Sequence, residues 1–216
     1  MAFTRVHITA FLGLAVIAWG SVLWIQGTPI SWDHLAPFSS VVAVLTTTAI
    51  ALEHALWRLR CFHGWFVKRP DLRGTWKVEL HPGIDPKTGA PVAPITAFMG
   101  VTQTLSTLQM HLMTPESESW LIADRIRSSP NGTGYQVAAV YTNKPGVHLR
   151  GTRSEIHHGA LVLDAHGPDH RPSSLTGEYW TDRKTLGRMQ LSERVPQVFT
   201  RFDEAERAHA ARTPAS

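Results

Sequence analysis

The chain has 216 residues, of which 43% are hydrophobic, and its formal net charge is +4 at pH 7. This length allows one sizeable domain and a smaller segment. The one cysteine, Cys61, excludes an intramolecular disulfide framework and fits a reducing compartment. Apolar residues dominate the first sixty positions, whereas the rest of the chain alternates polar and apolar residues. The composition therefore divides the chain near Arg58.

Two apolar stretches near the N-terminus predict membrane-spanning helices. The first, VHITAFLGLAVIAWGSVLWI, runs from Val6 to Ile25, and the second, from Leu35 to Trp57, is interrupted by three threonines. About 20 apolar residues span the hydrocarbon core as a helix. A secretory signal peptide is the alternative for the first stretch. That stretch is longer than a usual signal core, and a second apolar stretch follows it at once.

The charges around these stretches predict their orientation. Arg5 precedes the first stretch and several basic residues follow the second, whereas the connecting segment QGTPISWDH has no Lys or Arg. The positive-inside rule then places both termini in the cytoplasm, with the chain crossing the membrane twice.

From Asp71 onward, short stretches with period-2 alternation are separated by Gly, Pro, Asn and Asp. Regularly spaced short strands are typical of a closed barrel or a sandwich, and closure removes the exposed edges of a sheet. We therefore expect an antiparallel β-barrel. Its opening segment RGTW resembles the Gly-x-Trp of lipocalin-like barrels, which implies that Trp76 plugs the closed end. Eight strands are predicted, the last long enough to be a hairpin, over residues 74–80, 96–103, 106–114, 119–127, 134–142, 150–157, 160–166 and 175–191.

The predicted domain organisation has four parts, in chain order. The tail contains TRFDEAERAHAAR, Thr200 to Arg212, which predicts a short exposed helix before a disordered end. The parts are a two-helix transmembrane region at residues 1–60, a juxtamembrane linker at 61–72, a cytoplasmic ligand-sensing barrel at 73–195 and the C-terminal tail at 196–216.

The segment GEYWTDRKTLGRMQL, Gly177 to Leu191, combines charged and hydroxyl side chains with period-2 order. A three-residue loop at 182–184 keeps residues of like parity on one face of a hairpin. That face changes from leucines at one end to tyrosine and threonine at the other, with Arg183 at the lip. The loop predicts three cross-strand pairs: Thr181 with Thr185, Tyr179 with Gly187, and Leu175 with Leu191.

If this face points into the barrel, it forms a polar mouth above an apolar floor. Aromatic rings stack on nucleobases, and arginine binds phosphate through two hydrogen bonds. The residues at the mouth therefore suit a ligand with a planar base and a phosphate. The alternative is a solvated hairpin in which Tyr179 packs over Gly187 and Arg183 lies in water.

The sequence contains no nucleophile elbow, Walker loop, dinucleotide fingerprint or HExxH motif, so nothing in it indicates an enzyme. Adjacent His157 and His158 point to opposite faces of a strand, which argues against a metal site in this histidine-rich region. We therefore expect no metal and no cofactor.

Two apolar stretches, a basic juxtamembrane segment, a β domain that begins at LRGTW and a final GEYWTDRKTLGRMQL together resemble one family. It comprises the two-transmembrane, β-strand-rich effectors of CBASS, the bacterial cyclic-oligonucleotide antiphage signalling system. The resemblance covers about residues 5 to 195, and its most specific element is the run from Tyr179 to Gly187. It does not cover the tail after Val195.

The resemblance implies that an eight-stranded barrel senses a cyclic di- or oligonucleotide made by a partner nucleotidyltransferase during phage infection. Binding then drives homo-oligomerisation and disruption of the bacterial inner membrane, which kills the infected cell. No DNA or RNA partner is implied. The match of motifs assigns Tyr179, Thr181, Arg183 and Thr185 as ligand contacts, and the predicted strands add Trp76, Tyr141 and Arg153.

A constitutive, membrane-anchored, lipocalin-like binding protein is the alternative function. A carrier of that kind needs an apolar cavity throughout, whereas a nucleotide sensor needs basic and hydroxyl groups at the ligand. Inward-pointing Arg183 and Arg153 would favour the sensor. A membrane enzyme with a barrel domain is a third possibility, which turnover of a nucleotide by the purified protein would reveal.

Overall fold

A computed structural model describes residues 5–28, 32–84, 89–129, 134–147 and 155–212. The chain divides into two compact units, the first comprising Met1–Leu59 and Thr104–Thr107, and the second Arg60–Gln103 and Leu108–Ser216.

The first unit contains two α-helices at the positions of the predicted apolar stretches, α1 (Arg5–Ile25) and α2 (Trp32–His54). In α2, the Thr46 hydroxyl donates to the backbone oxygen of Val42, which is how threonine is accommodated inside a helix. Within the described ranges, neither helix combines the length and the apolarity needed to cross a bilayer. The structure thus lends no support to the prediction of two membrane-spanning helices.

The second unit is built on a closed barrel in which each strand pairs with the next and β8 returns to β1. All pairings are antiparallel. The prediction of an eight-stranded antiparallel barrel is confirmed. The strands are β1 (Gly74–Pro82), β2 (Ile95–Gln103), β3 (Leu108–Met113), β4 (Ser117–Ser128), β5 (Tyr135–Pro145), β6 (His157–His166), β7 (Ser174–Thr181) and β8 (Leu186–Val195).

The strand predicted over 150–157 is not seen where the structure describes that part of the chain. Residues 148–154 lie outside the described residues, Glu155 and Ile156 are not in a strand, and β6 begins at His157. The count of eight holds because the predicted 175–191 segment is a true hairpin that contributes two strands, β7 and β8.

Trp76 of the RGTW segment lies in the barrel core near the end where β1 begins, which we call the closed end. Its side chain is fully buried, and its indole N–H donates to the backbone oxygen of Leu72 at 2.8 Å. The guanidinium of Arg194, from the end of β8, lies 4.8 Å from the centre of the Trp76 ring. This cation–π contact ties the last strand to the first where the barrel closes.

The tail forms α3 (Phe202–Ala210), which packs on the outside of the barrel. Phe98 of β2 points away from the barrel interior and is buried beneath Phe202, with ring centres 5.3 Å apart. Ala205 and His209 are also buried, and His209 lies within hydrogen-bond distance, 2.9 Å, of the Glu193 backbone oxygen. The predicted helix is therefore present. It is not fully exposed as predicted, because an apolar side of α3 covers Phe98.

Candidate functional site

A cavity of about 580 Å³ occupies the end of the barrel opposite Trp76. This volume falls in the usual range for small-molecule sites. The turns that follow β1, β3 and β7 surround it, because these strands run from the closed end toward the open one. Its polar lining residues are Thr114, Glu116, Ser117, Ser119, Tyr141, Asn143, His157, Tyr179, Thr181 and Thr185.

The hairpin of β7 and β8 supplies three of these residues with the predicted geometry. Tyr179 pairs with Gly187 and Leu175 with Leu191, in the predicted register. The Thr181 N–H donates to the Thr185 backbone oxygen at 2.9 Å, and the two threonine hydroxyls are 2.7 Å apart. The hairpin prediction is confirmed.

Lys184 makes the short hairpin loop possible. Its φ angle is +60°, in the left-handed region that ends a three-residue hairpin loop. The Lys184 N–H donates to the Thr181 backbone oxygen at 3.1 Å, which closes the turn.

Two tyrosines in the cavity wall are seated on cross-strand glycines. Tyr179 of β7 lies over Gly187 of β8, and Tyr141 of β5 lies over Gly159 of β6. A Cβ added at Gly187 would be 2.6 Å from the Tyr179 hydroxyl oxygen, and one at Gly159 would also collide with the Tyr141 ring. The glycines therefore create the space in which both rings lie against the barrel wall.

Both tyrosines present neutral hydroxyls to the cavity. Burial raises the pKa of Tyr141 to about 12, and the nearby Tyr179 and Asp182 contribute in the same direction. Burial also raises the pKa of Tyr179. At neutral pH these hydroxyls remain protonated, so each is able to donate a hydrogen bond to an anionic or neutral acceptor.

The cavity wall is divided into a polar arc and an apolar arc. The polar side chains come from the β3–β4 turn through strands β4 to β7 and the β7–β8 turn, whereas strands β1, β2, β3 and β8 supply only apolar side chains. Four apolar residues also lie within the polar arc: Pro115, Leu121, Pro145 and Leu161. Among the lining residues that the structure describes, none is Lys or Arg, and Glu116 carries the one carboxylate. The apolar arc comprises Leu80, Ile95, Met99, Met110, Leu112 and Met189, with Val92, Ala93 and Pro94 from the β1–β2 connection.

The family model of the Cap15 cyclic dinucleotide receptor domain matches residues 67–193, more than half of the chain. The chain belongs to this family. The matched range includes every residue that lines the cavity. The family match agrees with the resemblance to CBASS cyclic-nucleotide-sensing effectors that the sequence indicated. No curated protein matches the chain.

In this Cap15 receptor domain, four of the seven predicted ligand contacts lie together in the cavity wall. They are Tyr141, Tyr179, Thr181 and Thr185. Arg183 is exposed in the β7–β8 turn at the open end and is not a lining residue. Trp76 belongs to the closed end and contributes to the core instead of the cavity. Arg153 lies outside the described residues.

The polar residues on the β4–β5 side of the Cap15 cavity are not among the predicted ligand contacts. Asn143 and Ser119 are cross-strand partners, and Ser117 lies two residues before Ser119 on the same face. The predicted fourth strand begins at residue 119 and the predicted fifth strand ends at residue 142, so the predictions leave out Ser117 and Asn143. The signal was present, because Tyr141 and Asn143 have the same parity and must share a face.

Proposed function

We propose that this chain is a signal-responsive effector whose Cap15 barrel binds a cyclic di- or oligonucleotide in the open-end cavity. The observation that carries the proposal is the divided wall, which offers apolar surface on one side and hydroxyl donors on the other. A cyclic dinucleotide has the matching chemistry, since its bases have apolar faces and its sugar–phosphate ring accepts hydrogen bonds.

In this proposal the bases lie against the methionine- and leucine-rich arc. Tyr141, Tyr179 and one hydroxyl of the Thr181–Thr185 pair, whose mutual hydrogen bond uses the other hydrogen, donate hydrogen bonds to the ligand. Their neutral state avoids repulsion of the phosphates. Arg183 lies on the rim, where its guanidinium binds a phosphate as the ligand enters. The other rim cation of this turn, Lys184, adds to the attraction of an anion.

The proposed ligand binding is tested by measuring the affinity of the purified full-length chain for a panel of cyclic di- and trinucleotides. We expect at least one member to bind, and we expect Arg183→Ala to weaken binding and to reduce its dependence on salt. Arg188→Ala is the matched control, because Arg188 is exposed on the same hairpin and faces Glu178 across the strands. Failure of the whole panel to bind would refute the proposal.

The output of binding is proposed to be oligomerisation followed by disruption of the bacterial inner membrane, as part of antiphage defence with a partner nucleotidyltransferase. The resemblance to CBASS effectors supports this step, as do the mostly apolar sequence of α1 and the basic residues between Arg58 and Arg73. A ligand drives assembly only if it binds the assembled state more tightly. The proposal therefore requires ligand-dependent assembly.

Dye-filled vesicles of bacterial lipid composition, reconstituted with the full-length chain, test the membrane step. We expect the ligand to release the dye and to increase the molecular mass of the protein in the same concentration range. Ligand binding without release or assembly would leave the receptor function intact and refute the membrane output.

Carriage of an apolar molecule is a second candidate function, favoured by the apolar arc and by the lack of Lys and Arg among the described lining residues. A fluorescent fatty-acid probe distinguishes the two. Displacement of a bound probe by a cyclic nucleotide favours the sensor, whereas tight probe binding with no nucleotide binding favours the carrier.

A further inference from the structure

A small polar network on the β4–β5 side of the cavity is centred on Asn143. The Asn143 side-chain nitrogen donates to the hydroxyl of Ser117 at 3.1 Å and to that of Ser119 at 2.9 Å. Ser119 is only 5% exposed. Both hydrogens of the Asn143 amide are thus used within the wall.

The β3–β4 turn holds Ser117 in place. Thr114 Oγ1 accepts from the Ser117 backbone N–H at 2.8 Å, and the hydroxyls of Thr114 and Ser117 are 3.1 Å apart, with either able to donate. Because the Asn143 nitrogen donates to both serines, its Oδ1 atom is left for the cavity.

The acceptor that this network presents indicates which part of a nucleotide it faces. Phosphate oxygens only accept hydrogen bonds, so they have no hydrogen to give to Asn143 Oδ1. Arg183 and Lys184, which attract phosphate, lie in the β7–β8 turn, half of the barrel circumference away. The network therefore faces an uncharged part of the ligand that carries a hydrogen-bond donor.

We infer that Asn143, positioned by Ser117 and Ser119, reads the edge of one nucleobase. Its Oδ1 atom accepts a hydrogen bond from a base N–H group, and the Ser119 hydroxyl donates to the neighbouring ring nitrogen or carbonyl oxygen. This inference rests on the proposed function and specifies how the same cavity selects among bases. A site that pairs with one order of donor and acceptor groups rejects a base whose donor and acceptor are in the reverse order.

The test compares the affinities of the full-length chain for cyclic dinucleotides that carry adenine, guanine or uracil and share one linkage. We expect the wild-type protein to prefer one base, and Asn143→Ala to reduce that preference by about tenfold or more. Thr142→Ala is the matched control, because Thr142 is the adjacent residue on β5, contacts His158 instead and faces away from the cavity.

A second variant keeps the test valid if Asn143→Ala does not fold. Ser119→Ala removes one partner of the Asn143 amide, and we expect it to lower the preference in the same direction while the melting temperature confirms folding. If these variants lower the affinity for all three cyclic dinucleotides equally, or do not lower it at all, the inference is overturned and nucleotide binding stays established. Absence of binding to the wild-type protein would overturn the proposed function and this inference together.

Discussion

Tyr179 lies against Gly187 across the β7–β8 hairpin, so closely that a Cβ at position 187 would be 2.6 Å from the tyrosine hydroxyl oxygen. The backbone oxygen of His81, on β1, is also 2.6 Å from that position. The absence of a side chain at Gly187 thus serves both the placement of the ring and the closure of the barrel.

Gly187→Ala is expected to destabilise the barrel and to displace Tyr179. The added methyl group collides with the tyrosine and with a backbone atom that is unable to move freely, and overpacking of this kind costs about 1–3 kcal/mol. Denaturant unfolding measures the loss of stability, and binding of the nucleotide that the wild-type chain prefers measures the displacement. Gln190→Ala, an exposed change on the same strand, should leave both values unchanged.

Tyr141→Phe is expected to flatten the dependence of stability on pH in alkaline solution. The folded-state pKa of Tyr141 is about 12, above the usual value near 10, so the unfolded chain loses this proton first. The wild-type protein should therefore lose about 2 kcal/mol from this group as pH rises from about 10 through 12.

Unfolding free energies of the wild-type and Tyr141→Phe chains between pH 8.5 and about 11.5 measure this difference. Other groups titrate in both proteins, so the difference between the two curves isolates Tyr141. Parallel curves would show that the hydroxyl ionises as readily in the folded chain as in the unfolded one.

Thr181→Val should weaken nucleotide binding several-fold, with little change in stability. The substitution keeps the shape of the side chain but removes a hydroxyl that lines the cavity and contacts Thr185. The loss of one neutral hydrogen bond is worth about 1 kcal/mol. Isothermal titration measures the affinity.

Thr176→Val is the comparison for that variant, since Thr176 is on the same strand and its hydroxyl is 2.7 Å from His166 Nε2, outside the cavity lining. It removes a hydrogen bond of similar length without touching the cavity. If the two variants weaken binding equally, Thr181 does not contact the ligand.

Trp76→Phe should lower stability and leave the affinity for the nucleotide unchanged. The smaller ring leaves a cavity at the closed end, loses the hydrogen bond to Leu72 and weakens the contact with Arg194. The expected cost is about 2–3 kcal/mol, below that of full truncation to alanine. Thermal unfolding and titration below the melting temperature measure the two quantities.

Trp65→Phe serves as the control, because the Trp65 side chain is 69% exposed and its loss should cost little stability. A reduced nucleotide affinity in folded Trp76→Phe would show that the closed end affects the ligand site.

The hairpin was predictable in detail from the sequence because its pairing is local. Parity assigns Tyr179, Thr181 and Thr185 to one face, and a three-residue loop then fixes their partners without information from the rest of the chain. Six of the seven other predicted strands are present near their predicted positions, because alternation is also a local signal, whereas the one over 150–157 is not seen in the described residues. The strand ends were not predictable, which is why Ser117 and Asn143 were missed.

The depth of each inward side chain, and the side chains that it meets, depend on how distant strands pair. Both Trp76 and Tyr141 point into the barrel, but Trp76 lies near the start of β1 and is not a lining residue, whereas Tyr141 lies near the end of β5 and lines the cavity. The meeting of Asn143 with two serines depends on the register between β4 and β5, with its bulge between Leu121 and Ala123. Alternation along the chain determines the face of a residue, whereas position along the barrel axis depends on pairing between distant segments.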